Sequence, residues 1–213
     1  MDAIRFVQEN GREILNALLI HIRLVGISVL IGVLVSIPLG ILLTRAKKAA
    51  KYVLAGVSTI QTIPGLVMLG FAMLLFGVGS RSAIIVLSLY AILPILRNTY
   101  TGITEVDKSY IEAGRGIGMT DMQILFKVEL PLAASSIIGG LKLSTIYIVS
   151  WATLAGLIGA GGLGDLIWTG LSTYETLYIW SGAIPSALLA IALGLLIGVI
   201  QRGLTPRGLR GAK

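Results

Sequence analysis

Two runs of this chain, residues 24–43 and 176–200, carry no charged side chain over at least twenty consecutive positions. A helix needs about 20 apolar residues to cross the hydrocarbon core of a bilayer, so both runs predict membrane spans. A third run, 52–79, is also uncharged but contains QTIPG at 61–65. Proline removes an intrahelical hydrogen bond and clashes with the preceding turn, so the expectation is a helix broken or kinked at Pro64. Residues 82–96 are just long enough to span, and extend past Arg97 if that side chain snorkels. Residues 132–157 hold one charge, Lys142. The reading is therefore an all-α membrane protein with five transmembrane helices.

Composition agrees. Of 213 residues 13% are charged and 55% hydrophobic, against about 25% charged in soluble domains. Cysteine is absent and His21 is the sole histidine, which removes disulfides, thiolate chemistry and a multi-histidine metal site from consideration. The start, MDAIRFVQENGREILNALL, opens acidic and mixed, so no secretory signal peptide is expected. No internal repeat or low-complexity linker divides the chain, and one domain is predicted.

The net charge of +7 could suggest nucleic acid, but its distribution follows membrane topology. Arg45, Lys47, Lys48 and Lys51 follow the first span. Arg97, Lys108, Arg115 and Lys127 lie between the third and fourth, and Arg202, Arg207, Arg210 and Lys213 close the chain. With five spans these twelve lie on one side, against Arg5, Arg12, Arg23 and Arg81 on the other. The expectation is an N-terminus outside and a C-terminus in the cytoplasm. Residues 1–18 form an extracytoplasmic segment, 19–200 the transmembrane domain and 201–213 a cytoplasmic basic tail.

The segment 105–131 is the exception to this apolarity, with five acids and three bases between Glu105 and Glu129. Ser109 with Glu112 and Thr120 with Gln123 each have capping-box spacing. Gly116 and Gly118 sit where the first of two short helices must end. The second is expected to present Met122, Leu125 and Phe126 on one face and to stop near Pro131. One reading is an amphipathic connector lying on the headgroups. Such a helix should be rich in Lys and Arg, whereas an acidic surface suits a protein partner.

The residues Glu112-Ala113-Gly114, then after three further residues Gly118, and after nine more Val128-Glu129-Leu130-Pro131, resemble the EAA loop of ABC importer permeases, Glu-Ala-Ala, Gly, then Ile-x-Leu-Pro. Gly114 replaces the second Ala and Val128 the Ile. The stretches QTIPGLVMLGFAMLLFGVGSRSAIIVLSLYAILPILRNTYTGI and ATLAGLIGAGGLGDLIW extend the resemblance along nearly the whole chain, to permeases of osmoprotectant importers for glycine betaine, carnitine, choline or similar compounds. GAGGLGD also occurs in methionine-type permeases.

The resemblance implies a type I importer fold (MetI-like), a second permease subunit (the same or different), two ATPase subunits and an extracytoplasmic substrate-binding protein. A binding protein fused to this chain is not expected. ATP and Mg would belong to the ATPase, with no cofactor in this chain. The coupling residues it implies are Glu112, Ala113, Gly114, Gly118 and Pro131. All ten acids lie outside the five apolar runs, where a proton- or sodium-coupled transporter should carry some, and no phosphate loop is present. An external energy source follows.

For the substrate path the candidates are Gln61, Thr62 and Pro64 at the helix break, and Tyr147, Ser150, Trp151 and Thr153 on the fourth span. A quaternary ammonium favours aromatic faces, which singles out Trp151 and Tyr147; helix packing or interfacial anchoring would equally account for them. Lys142 snorkels to the cytoplasmic face or makes a path or subunit contact. His21 and Arg23 anchor the outer end of the first span. GLIGAGGLGDLI is an outer gate or a tight packing motif, and Asp165 within it a contact for the binding protein. Competing readings are a methionine-like or other small-solute permease, and a channel or scaffold whose loop docks a partner. No nucleophile–base pair or metal cluster speaks for an enzyme.

Overall fold

The computed structural model describes residues 3–204. Nearly all of them are helical: α1 (Ala3–Arg45), α2 (Lys47–Thr62), α3 (Gly65–Phe76), α4 (Ser80–Thr104), α5 (Lys108–Gly116), α6 (Asp121–Ile124), α7 (Leu130–Leu154), α8 (Leu163–Thr173) and α9 (Thr176–Leu204). A π turn, Leu125–Glu129, joins α6 to α7, and a 3-10 turn, Ala155–Ile158, follows α7. Most of the basic tail, from residue 205 on and including Arg207, Arg210 and Lys213, lies outside the described residues.

Four helical stretches are each long and apolar enough to cross a membrane: Ile4–Arg45, Ser80–Thr104, Asp121–Ile158 and Thr176–Leu204. Together α2 and α3 are long and apolar enough as a pair bent by 92°, which makes a fifth crossing when the pair is counted as one span. The bend falls at Ile63 and Pro64, where the sequence predicts a break. At 1.5 Å per residue α1 is about 65 Å long, roughly twice the ~30 Å hydrocarbon core. The end bearing Arg5, Glu9, Arg12 and Glu13 continues the helix past the apolar run, and Arg5 pairs with Glu9 one turn on at 2.9 Å.

The centre of the bundle is α4, with α1 on one side and α7 on the other. Val86, Leu87, Tyr90 and Ala91 of α4 meet Leu24 and Val25 of α1 and Ile148, Val149 and Ala152 of α7 in one buried cluster. Where lipid and side chains are equally apolar, helices associate through close backbone approach and hydrogen bonds. Gly140 shows this: a Cβ there would stand 2.6 Å from the Asn98 Cβ and 2.7 Å from the Pro94 carbonyl. Hydroxyls complete the seams, Ser36 donating to the Ile92 carbonyl at 3.1 Å and Ser144 to that of Ala91 at 3.0 Å. By contrast α9 turns outward, with Trp180, Leu188, Leu195 and Val199 each more than half exposed, as befits a lipid-facing helix.

Two expectations change here. His21 does not anchor an interface: it is buried, and its Nε2–H donates to the Val149 carbonyl at 3.1 Å. The reason is that α1 begins some twenty residues before it, placing His21 in mid-helix against α7. The segment after α6 does not stop near Pro131 but runs on into α7 through the π turn, Pro131 falling in the first turn of α7, where its missing N–H costs little. Lys142 is half-buried against α9, its Nζ 3.4 Å from where a Cβ on Gly198 would lie.

Overpacking a full seam costs about 1–3 kcal/mol. Gly140→Ala is therefore expected to lower the melting temperature of the detergent-solubilised protein measurably. Gly26→Ala, which meets nothing within 4 Å, should leave it within about 0.5 kcal/mol of the parent.

Candidate coupling surface and substrate path

The charged segment opens with α5. Its N-cap is Asp107, whose side chain accepts the Ser109 backbone N–H at 2.9 Å. That hydrogen bond, with one from the Ser109 hydroxyl, holds the Asp107 carboxyl below its ordinary range. The expected Ser109–Glu112 capping box is thus replaced by a cap two residues earlier. An Asp at this position fits a helix start as well as Ser does, and the consequence is that Glu112 is exposed and not needed as a cap.

The helix ends as its glycines predict. The Met119 N–H bonds the Gly114 carbonyl at 3.0 Å and the Gly118 N–H that of Arg115 at 2.9 Å, with Gly118 left-handed at φ +83°. This is a Schellman-type end, which favours glycine at the left-handed position. The next helix start is the predicted one: Thr120 N–H donates to the Gln123 side chain at 2.9 Å, and Gln123 N–H to the Thr120 hydroxyl at 3.3 Å. Gly114 is buried beneath Ile124 and Met119, where a Cβ would make ordinary contacts at 3.4 Å. Gly and Ala are therefore interchangeable here on steric grounds, which accounts for the departure from the Glu-Ala-Ala pattern.

Around this turn Tyr110, Ile117, Met122 and Phe126 are each more than half exposed. Large apolar side chains clustered on a polar, net acidic segment mark an interaction surface. At its far end Glu129 is buried, and Arg45 from the end of α1 grips it with both guanidinium nitrogens, Nη1 at 3.1 Å from Oε1 and Nη2 against Oε2. The sequence offered no sign of this pairing across 84 positions.

At the helix break Gln61 Nε2 donates to the Tyr90 carbonyl at 2.7 Å, and the Tyr90 hydroxyl donates to the carbonyl of Ile63. Trp151 stacks on Tyr90 with centroids 5.1 Å apart, and covers Gly65 so closely that a Cβ there would fall 1.8 Å from its ring. Gln61, Pro64 and Trp151 thus converge. Thr62 bonds its own helix, to the Thr59 carbonyl at 2.7 Å. Tyr147 is half exposed a turn before Trp151, Ser150 is exposed, and Thr153 bonds the Ser150 carbonyl at 2.7 Å. Tyr90 is the aromatic partner that sequence reasoning missed, since nothing in an apolar span distinguishes an aromatic that packs from one that faces lipid.

The glycine loop after α7 is tied down. Gly79 N–H bonds the Ile158 carbonyl at 2.9 Å and the Ser80 hydroxyl that of Ala160 at 2.9 Å. Leu163 is fully buried, and burial raises the carboxyl pKa of Asp165, which is half-buried. These features favour packing over gating for this loop.

Residues 36–209 match the family described as binding-protein-dependent transport system inner membrane component. The choline transport system permease protein OpuBB of Bacillus subtilis is 49% identical over 99% of this chain and 97% of its own length. The glycine betaine/carnitine/choline permease OpuCB of the same organism is 48% identical over 98% and 96%. The carnitine transport permease OpuCB of Listeria monocytogenes is 47% identical over 100% and 98%. Among solved structures, an inward-facing form of the MetNI methionine ABC transporter superposes with a TM-score of 0.81 at 24% identity, over 91% of this chain and 96% of that one; at that identity the likeness concerns the fold. The chain is a multi-pass membrane protein of the binding-protein-dependent transport system inner membrane component family.

Proposed function

We propose that this chain is the permease subunit of an ATP-driven importer of osmoprotectants such as choline, glycine betaine and carnitine. The observation that carries the reading is the similarity, end to end, to permeases named for those solutes. The geometry supports it at two places. The segment from Glu112 to Gly118 offers an exposed carboxylate, a tight glycine turn and apolar side chains to a partner. That partner is an ATPase subunit, which holds the ATP and Mg and delivers the work. The exposed Ala113 keeps the outer α5 face low, Gly114 seats α5 on Ile124 and Met119, and Pro131 leads the segment into α7.

Counting the bent α2–α3 pair as one crossing puts the three basic regions together, on the cytoplasmic face of the cell membrane. The ATPase docks there, and an extracytoplasmic binding protein meets the opposite face. A second permease subunit completes the path. Within the chain the path runs past the break at residues 61–65, where the half-buried Trp151, backed by the buried Tyr90, is the aromatic group that attracts a quaternary ammonium. Tyr147, Ser150 and Thr153 flank it on α7.

Deleting this subunit should abolish uptake of labelled choline, glycine betaine or carnitine under hyperosmotic stress, and restoring it should restore uptake; uptake of all three independent of the subunit would refute the substrate class. Gly118→Asp places a side chain at a left-handed residue and a charge beside the turn. The variant is expected to insert in the membrane normally, yet lose co-purification with the ATPase and all transport. Normal co-purification and uptake would remove the coupling assignment. Trp151→Ala should slow the uptake of every accepted solute by roughly twofold to thirtyfold, the kinetic equivalent of a cation–π contact of about 0.5–2 kcal/mol. Relative preference among solutes should stay constant; unchanged uptake of each would take Trp151 off the path.

A further inference from the structure

We propose that the Arg45–Glu129 ion pair is a positioning strut that carries displacement of the coupling segment into α1 and the α1–α2 joint. The inference rests on the reading that an ATPase seats on residues 112–118, and it concerns what happens to the motion afterwards. Glu129 stands at the position that the Ile-x-Leu-Pro pattern leaves unspecified, so the coupling motif does not account for it.

Its surroundings do. The carboxylate is 3% exposed and both its oxygens are held by one guanidinium. A carboxylate so buried and stripped of its partner is strongly unfavourable, and a planar fork gripping both oxygens fixes direction as well as distance. The two ends of this link therefore keep a fixed relation.

Both ends sit at breaks in the helical ladder. Glu129 is the last residue of the π turn, in which the Leu130 N–H reaches back to the Leu125 carbonyl. Such turns insert an extra residue and recur at functional sites. Here the turn leaves Leu125 and Glu129 facing inward while Phe126 and Lys127 face out. Arg45 is the last residue of α1, and Ala46 leaves helical geometry at φ −119° and ψ 62° before α2 begins. From there α2 leads directly to the 92° bend at the substrate path. A push on α5 and α6 thus reaches the end of α1 through one rigid, charge-matched contact. The Arg45 side chain is 52% exposed, so this end can shift relative to solvent while the fork stays closed.

The test uses the full transporter complex in proteoliposomes, reading choline uptake per ATP hydrolysed. Glu129→Gln should leave the ATPase bound and hydrolysing while that ratio falls roughly tenfold, within the range by which single residues modulate coupling. The chain has no native cysteine, so in a complex whose other subunits are freed of cysteine an Arg45→Cys, Glu129→Cys variant can be bridged at that site alone. It should be uncoupled as prepared and regain the ratio when joined by a short bifunctional methanethiosulfonate. A wild-type ratio in Glu129→Gln would overturn the strut, and so would failure of the bridge to restore coupling. Loss of complex assembly in both variants would make the pair a folding contact, which also overturns it. Failure of the ATPase-docking reading shows separately, as absence of ATPase from the unsubstituted complex.

Discussion

A backbone amide in the hydrocarbon core has no water to bond, so each N–H and C=O there must find a partner within the protein. That constraint shapes the whole chain. Long uninterrupted helices meet it by themselves, which is why α1, α4, α7 and α9 are readable as spans. The break between α2 and α3 cannot, and the structure supplies substitutes. Gln61 and Tyr90 exchange hydrogen bonds with one another's neighbourhood, Gln61 to the Tyr90 carbonyl and Tyr90 to that of Ile63. Two side chains and a stacked tryptophan stabilise a right-angle turn that would otherwise expose bare peptide.

The charged segment from Glu105 to Pro131 solves the opposite problem. Its inner face buries Ile124 and Leu125, yet it also displays Tyr110, Ile117, Met122 and Phe126 outward. Its own order comes from local devices: the Asp107 cap, the Schellman-type end at Gly118 and the Thr120–Gln123 box. Each such device contributes about 1 kcal/mol, enough together to hold a short two-helix unit in shape without burying its outward face. Preorganisation of this kind lowers the cost of docking. The Arg115–Asp121 pair at 3.4 Å is exposed on both sides and adds little. The grip of Arg45 on the buried Glu129 is a different matter, because losing Arg45 strands a buried carboxylate.

How much of this was legible depends on the range of the interaction. Caps, glycine turns and the proline break act within a few residues, and their residue types point to them directly. The capping box at Thr120 was found in this way. The one expected at Ser109 was displaced because Asp107, two residues earlier, competes for the same amides, and spacing alone does not rank two good caps. The continuation through Pro131 was hidden because proline is as acceptable in a first helical turn as after a last one. His21 was misplaced because charge at a helix end and burial in mid-helix look alike until the helix start is known.

Composition, hydrophobic run length and short-range signals by themselves determined a helical membrane bundle with a broken second span and a charged two-helix insert. Those properties follow from desolvation and backbone geometry, which act wherever the residues are. Tertiary structure alone decided that Tyr90 stacks on Trp151 over Gly65, that His21 reaches Val149, and that Arg45 closes on Glu129. These contacts join residues far apart in the chain. No local preference selects them, since which face of each helix turns inward is settled only when the helices pack.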